Sequence, residues 1–81
     1  MNLDGDILLT RVSCFDAKMK ELGMDSDEVW LPIAIDLNAI RAVRQYEPDN
    51  SDQVWVYLES GESFHIDQPY HELVGEWSKR R

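Results

Sequence analysis

The side chains best suited to chemistry lie close together near the C-terminal end. His65 and Asp67 alternate along the chain, and His71 and Glu72 follow shortly after. A zinc site needs three or four such ligands in tetrahedral reach. His65 and Asp67 share a strand face, but His71 must reach from a helix start, so ordinary hydrogen bonding is the simpler use of these groups. Cys14 with His65 and Asp67 would supply a nucleophile, a base and an orienting acid. A reactive thiol needs an electropositive setting, whereas this chain is acidic, and a buried structural cysteine is the expectation. The "DGD" of Asp4 to Asp6 and the "DNSD" of Asp49 to Asp52 lack the spacing and closing Glu of a calcium loop and read as turns. There is no glycine-rich phosphate loop. No catalytic residue, metal or cofactor is expected, and the chain reads as a non-enzyme.

The charge balance narrows the choice of partner. Sixteen acidic residues stand against eight basic ones, three of which are the last residues of the chain. Such a surface repels phosphate backbones and disfavours direct nucleic-acid binding. It attracts partners with a basic surface, and it also keeps a small protein soluble. A different use of the same charge is mimicry of a nucleic acid. Rows formed by Asp25, Asp27, Glu28, Asp49, Asp52, Glu59 and Glu62 would then block a DNA- or RNA-binding defence protein.

Eighty-one residues read as a single domain, 1–81, which hides only about 60–65% of the surface of the unfolded chain. Self-association would bury more, so a homo-oligomer is expected, and a small-ligand pocket between protomers is a further possibility. A lone cysteine fits a reducing compartment. No apolar run approaches the roughly 20 residues that cross a bilayer, and the acidic start is unlike a signal peptide. The expected location is the cytoplasm.

The elements that must position these residues follow from periodicity. Ile7 to Val12 reads as a first strand. Ser13 followed by Asp16 resembles a capping box, and Phe15, Met19 and Leu22 recur at helical spacing before Gly23, which predicts a short helix near 14–22. Met24 to Glu28 reads as a charged loop. Val29, Leu31, Ile33 and Ile35 alternate with Trp30, Pro32, Ala34 and Asp36, the period of a half-buried strand, with Pro32 marking an edge or a bulge. Residues 38–47 fit either a helix capped by Asn38, with Ile40 and Val43 on one side, or a tight turn followed by a strand at 41–47. Pro48 to Asp52 reads as a turn. Pro69 suits a helix start, and Tyr70, Leu73, Val74 and Trp77 form the stripe of an amphipathic helix over 69–79.

Between these lies "VWVYLESGESFHI", Val54 to Ile66. A two-residue Ser60-Gly61 loop would set Glu59 against Glu62 and mix aliphatic with polar partners, both unfavourable. A three-residue loop of Glu59, Ser60 and Gly61, with Gly61 left-handed in a G1 bulge, instead pairs Val56 with Phe64 and Val54 with Ile66. That register collects Val54, Val56, Leu58, Phe64 and Ile66 on one face. Trp55, Tyr57, Ser63, His65 and Asp67 occupy the other.

The run from Ile35 to Trp77 resembles the small flagellar FlbD-like family, which is also frequent in phage and mobile-element genomes. The matching residues are the "LN…I" of Leu37, Asn38 and Ile40, the turn Pro48-Asp49, the hairpin residues Leu58 and Gly61, and the helix announcement Gln68, Pro69, Tyr70, Glu72 and Leu73. The segment "SCFDAKMKELGMDSDE" departs from the pattern, since family members are shorter at the front. The resemblance implies a phage- or mobile-element-encoded regulator or adaptor and brings no catalytic residues.

The expected architecture is α+β: a small antiparallel sheet of four to five strands, a C-terminal amphipathic helix laid on it, and the short helix near 14–22 beside it. The expected function is that of an acidic interaction module that binds and regulates or inhibits a host protein. Its contact residues are Trp30, Trp55, Tyr57 and His65, since aromatic side chains are enriched where proteins meet. The competing use of that face is structural, with one of the two helices packed against it.

Overall fold

Two long stretches of alternating residues dictate the frame. In the computed structural model, which describes residues 1–14 and 29–80, strand β2 (Ile7–Cys14) pairs antiparallel with β3 (Val29–Asp36) in unbroken register from Ile7 opposite Asp36 to Cys14 opposite Val29. A two-residue strand β1 (Leu3–Asp4) folds back onto the start of β2. The connecting turn is "DGD", and Gly5 takes φ +60°, which glycine adopts without a steric penalty.

The second half is a meander. β4 (Ile40–Glu47) pairs with β5 (Asn50–Leu58), and β5 with β6 (Ser63–Ile66). The two halves join where Val12 of β2 meets Ile66 of β6, with the Asp67 amide donating to the Arg11 carbonyl at 3.1 Å. β1 and β6 thus share one side of β2, and β3 takes the other. This leaves β3 and β4 as the outer strands of a curled sheet. A 3-10 turn, Leu37–Ala39, links them, capped by the Asp36 carboxylate accepting from the Asn38 amide at 2.9 Å.

Helix α1 (Tyr70–Ser78) closes the inner side over β4 and β5, with Leu73 wholly buried and Tyr70 and Trp77 packed on the core. The Trp77 indole donates to the Ile40 carbonyl at 3.1 Å. Leu8, Ile35, Leu37, Ile40, Val54, Val56 and Ile66 complete the core. Beyond the helix, Arg80 reaches back to the first turn. Its guanidinium bonds the Asp6 carboxylate at 2.7 Å, the Gly5 carbonyl at 3.3 Å and the Glu76 carbonyl at 2.6 Å. That contact holds the Asp6 carboxyl below its usual value, with a smaller contribution from Asn38.

The hairpin at Gly61 has the register expected of the three-residue loop. Val54 faces Ile66 and Val56 faces Phe64, Gly61 has φ +93°, and its amide donates to the Leu58 carbonyl at 2.9 Å. Pro32 lies on an edge strand without a bulge. An unbroken ladder around a proline requires its ring nitrogen to face away from β2.

Three expectations are corrected. Ser13 and Cys14 extend β2 and pair with Trp30 and Val29, so no helix is capped at Ser13 or begins at Cys14. The remainder of the expected helix 14–22, like the charged loop Met24 to Glu28, lies outside the described residues. The ambiguity over 38–47 resolves into a three-residue turn and a strand. A bulge between Ile40 and Ala42 puts Ile40 and Val43 on one strand face despite their helix-like spacing. The turn at Pro48 is shorter than expected, since Glu47 already faces Asn50. No helix among the described residues is long and apolar enough to cross a membrane.

Candidate functional site

Opposite the helix, the outer face of the sheet carries the aromatic residues, and strand pairing sets them in a row. Trp30 of β3 pairs with Ser13 of β2. The Val12–Ile66 pairing carries Ser13 alongside His65, His65 pairs with Trp55 of β5, and Trp55 with Arg44 of β4. Ser13 is the small member of this row. Trp30 reaches over it, so that its ring centroid lies 5.2 Å from that of His65, edge to face. Such crossings favour the ring quadrupoles.

His65 is the centre of the cluster. Tyr46 stacks on its ring at 3.8 Å and 5° between planes, and Trp55 lies at 5.5 Å. Only 5% of His65 remains exposed, while Trp30, Tyr46 and Trp55 are half-buried. The buried imidazole keeps a polar partner, with Nε2 2.8 Å from Gln53 Oε1.

In the next row Arg11 and Asp67 form an ion pair at 2.6 Å, while on the inner side of β2 Gln68 donates to the Thr10 hydroxyl at 2.7 Å. Leu9, Pro32 and Ala34 join Arg11, Asp67 and Gln68 around an open depression of about 570 Å³. Leu9, one of its lining residues, is 40% exposed. Ridge and hollow therefore lie side by side on one surface.

Tyr57 stands on the same face but outside the ring cluster, and its hydroxyl accepts from Arg44 Nε at 2.8 Å. Of the four expected contact residues, the fold brings Trp30, Trp55 and His65 together and sets Tyr57 beside them. Tyr46 and Gln53 were not anticipated. Reading 38–47 as a strand would have put Tyr46 on the face of Arg44, two residues away.

The acidic positions are divided. Asp49 and Asp52 lie at one end of β5, and Glu59 and Glu62 lie at the other. Its nine residues span about 30 Å. Asp25, Asp27 and Glu28 lie outside the described residues. The outer face itself is nearly neutral: Arg11 and Arg44 stand with Asp4, Asp36 and Asp67, while the rest of the described chain holds eight acidic and three basic side chains.

The metal-ligand types do not converge. His65 is enclosed by rings, Asp67 is held by Arg11, and His71 is exposed against the edge of Tyr70. Among the described residues no group of three or more His, Cys, Asp or Glu could hold a metal ion. Cys14 shares the strand face of Val12, opposite to that of His65, so the two cannot act together across the sheet.

Comparisons with protein-family models, with curated proteins and with solved structures find no match to this chain.

Proposed function

We propose that the protein is a non-enzymatic interaction module that binds and regulates another protein through the outer face of its sheet. The observation that carries this reading is the cluster of Trp30, Tyr46, Trp55 and His65 on a nearly neutral face that helix α1 leaves uncovered. Interlocked rings lose little freedom when a partner arrives, so contact area is gained at low entropic cost. Among the described residues, the surplus acid lies mostly at the turns and on the helix. From there its field steers a partner with a basic surface towards the molecule, while the contact itself is aromatic. A reducing compartment such as the cytoplasm suits the single thiol.

Mimicry of a nucleic acid finds less support, because the described acidic positions sit at opposite ends of β5 rather than in one row. Salt and substitution separate the two readings. Partners captured from the cell of origin by the immobilised full chain should be lost with Trp55→Ala and retained up to about 0.5 M salt. Capture that survives Trp55→Ala and disappears with added salt would transfer the function to the acidic positions.

A further inference from the structure

We infer that, in the free protein, the outer face is covered by a second copy of the same chain. The inference rests on the reading of that face as a contact surface and commits its occupant. Charge is the first reason. A chain with a formal charge of −8 repels its copy over most of its surface, and the outer face, with two arginines against three aspartates, is where that repulsion is weakest.

Shape is the second. A two-fold interface sets one patch against itself, so it needs a projection and a recess on the same surface. Trp30 and Trp55 supply the projection, and the hollow around Leu9, Pro32 and Ala34 supplies the recess, with the Arg11–Asp67 pair between them. Rotation about an axis near that pair brings each copy's tryptophans over the other's hollow. It also lets arginine and aspartate exchange partners across the interface without stranding a charge.

Size sets the strength. Five strands spaced at ~4.8 Å, with about four residues of each exposed at ~3.3 Å, make a patch of roughly 20 by 15 Å. At about 300 Å² per copy this lies below the roughly 800 Å² of a standard interface and in the range of transient contacts, so the dimer should be weak, dissociating at about 100 µM, and should give way to a better partner.

Sedimentation equilibrium of the full chain from about 1 µM to 500 µM tests this, with Leu9→Glu and Trp55→Arg as variants and far-UV circular dichroism to confirm the fold. Leu9 is exposed, so its substitution leaves the core intact. The expected result is a rise from 9.5 kDa towards twice that mass in the wild type, with at least a tenfold weaker dimer in either folded variant. A wild type that stays monomeric throughout overturns the second copy as occupant and leaves the contact-surface reading standing. A dimer that neither folded variant weakens overturns the assignment of the face, and the functional reading with it.

Discussion

Replacing glycine by alanine should change stability in opposite directions at two positions, and the difference follows from backbone angle alone. At Gly61 and at Gly75 an added Cβ meets no atom within 4 Å, so crowding plays no part in either. Gly61 has φ +93° and forms the bulge that sets the hairpin register. Alanine there carries a left-handed penalty of about 1–2 kcal/mol, offset by roughly 0.4–1 kcal/mol from the stiffer unfolded chain, for a net loss near 1 kcal/mol. Gly75 lies within α1, where alanine should gain about 0.8–1 kcal/mol. The two variants should therefore differ by about 2 kcal/mol. At roughly 4–8 °C per kcal/mol for a domain of this size, the melting temperatures should separate by about 8–16 °C. Thermal melts by circular dichroism at one fixed protein concentration would measure it, since any self-association makes the midpoint concentration-dependent. If Gly61→Ala melts at or above the wild type, the bulged loop is wrong, and so is the sorting of residues onto two faces.

Leu73→Ala should cost about 2–5 kcal/mol out of ~4–12 for the whole domain, because this wholly buried side chain anchors α1, and urea unfolding would show it. Tyr46→Ala should destabilise by about 1 kcal/mol more than Tyr57→Ala in the same assay, since only Tyr46 stacks on His65; equal losses would argue against the cluster. Arg80 lowers the Asp6 carboxyl, so this contribution is complete above the ordinary carboxylate value of about 4 and disappears as pH falls through the lowered one. Asp6→Asn should accordingly flatten part of the acid limb of stability against pH, read from urea midpoints between about pH 2 and 5.

What could be read in the amino-acid sequence was what a single local rule decides. Only the three-residue loop keeps Glu59 from Glu62 and gathers the valines with Phe64 and Ile66, so the hairpin register was legible. Pro32 announced an edge for the same reason, because a missing donor is tolerated there. Rules that compete were less decisive. Ile40 and Val43 stand three apart, as on a helix, yet a bulge at Arg41 produces the same sidedness in a strand. That ambiguity concealed Tyr46 and with it half of the stack on His65. Ser13 looked like a helix cap because its hydroxyl suits one, whereas its use here comes from its small size beneath Trp30, a relation across strands that spacing along the chain does not reveal.

The proline in β3 has a consequence for crowded solutions. An outermost strand presents unsatisfied amides to any extended segment that drifts alongside, and endless stacking into fibrils begins that way. In β3 the amides of Trp30, Ala34 and Asp36 point outward in alternation, and at Pro32, in the middle of that series, there is nothing to donate. An incoming strand would find its ladder interrupted halfway. A chain with this proline at its open edge is thereby discouraged from growing side by side into a filament.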